Sequence, residues 1–191
     1  KSLNTIIERK KVNYIVDADI KGFFDNLDHD WTMKFLAHDI ADPNFLRLIK
    51  RFLKAGIMEE AKHIRSDIGA AQGGSISPVI ANVYLHYVLD LWFNKVIKKT
   101  SRGESYMIRY ADDFVCAFQY QDDAQRFLKA LQERLQKFSL DIAEEKTKLI
   151  EFGRFAADSR AKRGQGKPET FDFLGFTHYC SKSQKGKFRV K

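Results

Sequence analysis

The chain is poor in cysteine. Its 191 residues include two, Cys116 and Cys180, at neither disulfide-framework nor metal-ligand spacing. A disulfide-stapled secreted domain and a cysteine-held metal site are therefore excluded, and a reducing cytoplasm is the expected compartment. Cys116 lies in an apolar run and reads as a small buried hydrophobe. Long apolar runs are also missing: each is broken well short of the roughly 20 residues a membrane-spanning helix needs. No signal-peptide pattern, internal repeat or linker is found. His86 has no second histidine at metal spacing and reads as a surface or core residue. Acids are in deficit, 25 against 33 Lys and Arg, for a formal charge of +8 and a pI near 9.4. That balance favours a polyanionic partner, nucleic acid before anionic membrane. Disorder is excluded by 44% hydrophobic residues with 16 Phe.

Against this background the run from Tyr106 to Phe118 is informative. It is apolar and aromatic, hence β-prone, yet holds Asp112 and Asp113 at its centre. The run predicts two short antiparallel strands with Ala111-Asp112-Asp113 at or near the bend. A solvated hairpin tip would explain one Asp pair, but a second acidic cluster lies upstream in Tyr14–Asp25. There an apolar strand carries Asp17 and Asp19 before the break at Gly22. Two such strands can pool their carboxylates around hard cations, and three carboxylates suit a two-metal phosphoryl-transfer site.

Taken in order, residues 1–11 show no core pattern beyond Ile6-Ile7. Asp28-His29-Asp30 offers helix caps, and Asp42-Pro43 starts a helix with Phe45, Leu48, Ile49, Phe52 and Leu53 on one stripe, ended by Gly56. Residues 57–68 read as an irregular strand pair, and Gly69–Pro78 as a segment allowing close backbone approach to a ligand. Ser77-Pro78 opens a helix to about Lys99 with Val83, Tyr87 and Leu91 on its apolar face. Gln121–Phe138 is a second helix, with Ala124, Phe127, Leu128, Leu131, Leu135 and Phe138 on one side. Residues 139–152 read as extended, Gly153–Pro168 as a basic loop open to disorder, and Phe171–Tyr179 as an aromatic hairpin about Leu174-Gly175. The pattern predicts an α+β fold, an antiparallel sheet with helices packed on one face.

Five blocks occur in fixed order: Asp19-Ile20-Lys21-Gly22-Phe23-Phe24-Asp25-Asn26, Ala71-Gln72-Gly73-Gly74-Ser75-Ile76-Ser77-Pro78, Arg109-Tyr110-Ala111-Asp112-Asp113, Glu145-Lys146-Thr147-Lys148 and Phe173-Leu174-Gly175-Phe176. Together they resemble the successive blocks of a bacterial group II intron-encoded reverse transcriptase and maturase, from about residue 14 to the end. The resemblance implies a polymerase palm at 1–25 and 73–191, with 26–72 inserted as part of the fingers. It implies further that the thumb and N-terminal fingers lie outside the chain, which begins without Met and stops in a basic run. Residues 1–191 alone are then expected to fold without polymerising efficiently.

The same resemblance assigns roles. Asp19, Asp112 and Asp113, with the backbone carbonyl of Ile20, would hold two Mg²⁺ (or Mn²⁺) ions. Phe24 would be the gate under the sugar, against the alternative of an ordinary core ring. Gln72 and Gly73 would meet the nucleotide and template, although Ala70-Ala71 stand where the family more often has a proline. Lys146 would be the general acid near the pyrophosphate, against a plain surface lysine, and Leu174-Gly175 the primer grip. Asp17 and Asp25 read as supporting acids, Asp25 more as a turn cap than a ligand. Implied partners are RNA template, intron RNA, DNA primer and dNTP. Two other readings remain open: an RNA-binding splicing cofactor with a degenerate site, and a related diversity-generating, retron or CRISPR-associated reverse transcriptase. A nucleotide cyclase would share the palm but leave Gln72-Gly73-Gly74 and Leu174-Gly175 unexplained.

Overall fold

The computed structural model describes residues 2–54, 57–59, 62–64, 69 and 76–191, with backbone alone at 57–59 and 62–64. In chain order the first elements are α1 (Ser2–Arg9), β1 (Tyr14–Ala18), β2 (Ile20–Lys21), α2 (His29–Asp39), α3 (Pro43–Lys54), β3 (Ile57–Glu59), β4 (Lys62–Ile64) and α4 (Ser77–Leu85). The helix continues past α4 through two wider turns, His86–Asp90 and Phe93–Ile97, into α5 (Lys98–Thr100). There follow β5 (Ser105–Tyr110), β6 (Asp113–Phe118), α6 (Gln121–Gln136), β7 (Asp141–Ile142), β8 (Lys148–Glu151) and α7 (Ala156–Lys162). Four short strands close the chain: β9 (Phe171–Phe173), β10 (Phe176–His178), β11 (Cys180–Lys182) and β12 (Phe188–Val190). Two compact units result: Lys1–Asp19 with Phe93–Leu131 and Ala143–Lys191, and Ile20–Trp92 with Gln132–Ile142.

The first unit is built on an antiparallel sheet in the order β5-β6-β1-β8. Its central strands are apolar on both faces, and Ile15, Val16, Cys116 and Phe118 are fully buried. One face meets helices, with Phe118 against Phe93 and Phe127 at ring-centroid distances of 6.3 and 5.1 Å. This is the helix-covered antiparallel sheet that the sequence pattern predicts. On the other face Ile15, Val115, Ala117, Ile150 and Phe152 pack with Leu3 and Ile7 of α1, Phe171 and Phe173 of β9, and Val190 of β12. Each Val, Leu, Ile or Phe side chain buried this fully contributes about 1.5–3 kcal/mol.

Two segments differ from their sequence reading here. Residues 1–11 do have a core pattern, because Leu3 and Ile7 are one helical turn apart and both buried. The segment 153–168 is no plain loop: it contains α7, where Ala156, Ala157 and Ala161 supply the strongest helix former.

In the second unit, the Asp28 carboxylate accepts from the Trp31 N–H at 2.9 Å and caps α2, while Asp42 caps α3 ahead of Pro43. Trp31, Phe35, Tyr84 and Phe138 form an aromatic core, and the buried Tyr84 hydroxyl donates to the Phe138 carbonyl at 2.7 Å. The stripe of α3 is only half used: Ile49 and Leu53 are buried, but Phe45, Leu48 and Phe52 are 49, 46 and 56% exposed. Gly56 lies outside the described residues. Strands β3 and β4 pair as the sequence suggests, Ile57 opposite Ile64.

The long helix buries Ala81, Leu85, Leu89, Phe93 and Ile97, with Val83, Tyr87 and Leu91 on its half-buried flank. A buried position every fourth residue outruns the 3.6-residue α-turn. The two wide turns, bonded to the fifth residue, bring the stripe back into phase. Arg134 donates to the Tyr87 and Val88 carbonyls inside the first of them, at 3.1 and 3.0 Å.

Candidate active site

Strands β1 and β6 run antiparallel in a register from Tyr14 opposite Phe118 to Ala18 opposite Phe114. Asp19 follows directly after the end of this register, and its charge reaches Asp113. Strands β5 and β6 close at Tyr110 opposite Asp113, leaving Ala111-Asp112 as a two-residue loop. Ala111 has φ of +55°, whereas Asp112 stays in the ordinary negative range. A positive φ at the first residue of a two-residue hairpin loop is a position that glycine normally fills. Arg109 holds the turn, its Nη1 donating to the Ala111 carbonyl at 2.7 Å. Hairpin geometry thus delivers Asp112 and Asp113 beside the end of β1, where Asp19 follows.

The charges at this edge act on one another. Partial burial, then Asp112 and Asp19, raise the Asp113 carboxyl above its usual range. Asp17 is pushed up to about 6, first by burial and then by Asp172, Asp19 and Asp113, with Lys148 opposing. Lys148 lies directly across from it in the β1–β8 register. Lys146, in the turn before β8, sets its Nζ 3.0 Å from an Asp19 carboxylate oxygen. That hydrogen bond raises the ammonium above its ordinary value.

Asp19, Asp112, Asp113 and Lys146, four positions marked out in the sequence, therefore meet in one neighbourhood. Asp17, read as a supporting acid, joins them. Ile20 opens β2, buried and paired with Ile142. Phe24 follows the bend at Gly22, whose φ is +52°. Phe24 is half-buried and meets Phe23 edge-on at 5.2 Å, while Phe23 is the fully buried ring of the pair. Asp25 is exposed in the turn closed by its own N–H on the Gly22 carbonyl, and Asp28 caps the helix that follows. Leu174 and Gly175 form the two-residue turn between β9 and β10, both at positive φ, +53° and +75°. Gln72 and Gly73 lie outside the described residues. The clamp by Arg109 escaped the sequence reading, although an arginine inside a strand of apolar residues was its signal.

Among the described residues no three His, Cys, Asp or Glu side chains are drawn together tightly enough to hold a metal ion. Burial and the charges of Asp112 and Asp19 raise the Asp113 carboxyl, and Lys146 occupies one oxygen of Asp19. The donor set still fits a hard divalent cation, being all oxygen with unrelieved like charge at Asp113. No helix among the described residues is long and apolar enough to cross a membrane.

Residues 2–178 match the family described as reverse transcriptase (RNA-dependent DNA polymerase), and the chain belongs to it. Reverse transcriptases as a family use divalent metal ions. A group II intron-encoded protein, LtrA of Lactococcus lactis subsp. cremoris, is 42% identical over 82 residues, 41% of this chain and 14% of that protein. Protein YkfC of Escherichia coli K12 is 30% identical over 127 residues, 53% of this chain and 33% of its own length. The chain thus spans a small part of these relatives. Apo telomerase from Candida tropicalis, truncated from its C-terminal domain, superposes with a TM-score of 0.69 at 18% identity, covering 99% of this chain and 38% of that one. At that identity the likeness is one of fold.

Proposed function

We propose that the chain is the catalytic part of a group II intron reverse transcriptase, extending a DNA primer with dNTPs on an RNA template and assisting its intron RNA. One observation supports this above others: β1 and the β5–β6 hairpin bring Asp19, Asp112 and Asp113 to one edge of the sheet. The intact acid set argues against a splicing cofactor with a degenerate site. Residues 1–25 and 73–191 are read as palm and 26–72 as fingers, the latter falling wholly within the second compact unit. The two free thiols suit a reducing cytoplasm.

In this reading Asp19, Asp112 and Asp113, with the Ile20 carbonyl, hold two Mg²⁺ ions. When bound, these lower the pKa of the primer 3′-hydroxyl and neutralise the triphosphate. Lys146 donates a proton to the leaving pyrophosphate, and its raised pKa keeps it charged at neutral pH. Leu174-Gly175 support the primer end, Phe24 excludes a 2′-hydroxyl, and Gln72 with Gly73 meet the nucleotide. The test is Asp112→Asn in the full-length protein. Primer extension should disappear while RNA binding persists, because binding rests on phosphate contacts elsewhere. Retained Mg²⁺-dependent extension would remove Asp112 from the site.

A further inference from the structure

A cavity of about 570 Å³ opens in the first unit, away from the three aspartates in sequence, between the chain after β8, α7 and the β11–β12 hairpin. Its size suits one nucleotide-sized ligand. Arg154, Lys167 and Lys182 contribute cations from three separate segments, and no acidic side chain lines it. None of the three is ion-paired with a carboxylate among the described residues, although Arg163 is spent on Glu151 and Arg189 on Glu8 nearby. Tyr179 offers an aromatic ring that is 45% exposed, with Phe188 also lining the cavity.

The walls are fixed by specific contacts. Gly153, at φ +150°, is pressed so close to Val12 that an added Cβ would meet the Val12 carbonyl oxygen at 2.3 Å. The Cys180 thiol donates to the Gly153 carbonyl at 3.8 Å. The Arg154 guanidinium is anchored on the Glu8 and Lys10 carbonyls at 3.1 and 3.3 Å, and Arg160 ties the loop through the Gly166 carbonyl at 3.0 Å. Cations of one sign around an exposed aromatic ring are what single-stranded nucleic acid requires: charge for the phosphate, a flat face for the base.

We infer that this cavity binds one unpaired nucleotide of a nucleic-acid strand, its base stacked on Tyr179 and its phosphate held by Lys167, Lys182 and Arg154. The choice of nucleic acid over an acidic peptide rests on the reverse transcriptase reading; the cavity itself does not.

The test is equilibrium binding of fluorescein-labelled single strands, RNA and DNA in parallel, to the full-length protein in chelator without nucleotides. Because no synthesis is read, the result stands apart from Asp112→Asn. Loss of binding with intact extension, or the reverse, separates failure here from failure of the polymerase reading. Lys167→Gln with Lys182→Gln should lower the slope of log affinity against log salt by about 0.7 for each lysine. Tyr179→Ala should cost about 5- to 150-fold in affinity, the equivalent of one stacked base, and Tyr179→Phe should restore it. An abasic strand should bind the wild type as weakly as Tyr179→Ala binds the normal strand. Arms that differ between RNA and DNA identify the preferred strand. An unchanged salt slope, or equal losses for the Ala and Phe variants, would overturn the inference. So would polyglutamate competing as well as the oligonucleotide.

Discussion

The Lys146 ammonium stands 3.0 Å from a carboxylate oxygen of Asp19, across 127 residues of sequence. It is therefore positioned to compete with any divalent cation for that oxygen. Because the lysine is largely exposed, the contact is worth little to the fold. Lys146→Met should leave the melting temperature unmoved and bind Mg²⁺ more tightly in calorimetric titration. As the variant also loses the general acid, single-turnover extension should slow by about 100-fold. Weaker metal binding in the variant would show that Lys146 assists the cation and does not displace it.

The second prediction concerns the turn at Ala111. An L-residue at φ +55° carries about 1–2 kcal/mol of steric cost that glycine escapes. Ala111→Gly recovers part of that and loses part to unfolded-state entropy, so stability should change by less than about 1 kcal/mol. Ala111→Val adds a branched side chain at the same φ and should destabilise by more than about 1 kcal/mol. Urea midpoints at constant m-value give the comparison. Equal midpoints for Gly and Val would mean that the turn relaxes freely, and the Arg109 clamp would then have no role in aiming Asp112 and Asp113.

How far the sequence foretold this depends on how local each cause is. The Asp112-Asp113 hairpin, the capping by Asp28 and Asp42 and the Leu174-Gly175 turn follow from neighbours within a few residues. They are where the residue patterns point. The buried role of α1 was hidden, since Leu3 and Ile7 become core only when strands from the far end of the chain cover them. Helix α3 errs the other way: its period is legible, but a stripe says nothing about how much of it finds a partner. In the long helix the buried stripe runs through Ala81, Leu85, Leu89, Phe93 and Ile97, kept in phase by the two wide turns, and leaves Val83, Tyr87 and Leu91 on the half-buried flank. Asp17 showed itself as an acid in a strand, but not that Asp172 would approach it.

That approach gives a pH dependence. The folded chain holds the Asp17 proton more tightly than the unfolded chain, at about 6 against an ordinary 3.8. The stability this group contributes is fully present below about pH 4 and lost as pH rises through about 6. Two pKa units set a ceiling of about 3 kcal/mol, and partial solvation lowers this to about 1–2. Asp17→Asn, which mimics the protonated acid, should lack this decline and exceed the wild type in stability at pH 7 in chelator. Urea midpoints measured between pH 4 and 7 decide it; parallel curves for the two proteins would mean that Asp17 is solvated.

Phe23 and Phe24 are adjacent rings with separable fates. Phe23 is 3% exposed and packs edge-on to Tyr84 at 6.4 Å, so Phe23→Ala should cost about 3–5 kcal/mol through the cavity it leaves. Phe24 is only half-buried, and Gly22, at φ +52°, turns the chain two residues before it. A straight strand would have put Phe24 on the face opposite Asp19; the bend removes that objection to a role as sugar gate. A gate selects by steric exclusion, which penalises the wrong substrate without strengthening the right one. Phe24→Ala should therefore raise the ratio of kcat/KM for a ribonucleotide over its deoxy counterpart, since that ratio reports differential transition-state binding. The protein should stay folded, with a smaller loss of melting temperature than Phe23→Ala. An unchanged ratio with a large loss of stability would make Phe24 a second core ring. An unchanged ratio in a folded variant would move the gate to another residue.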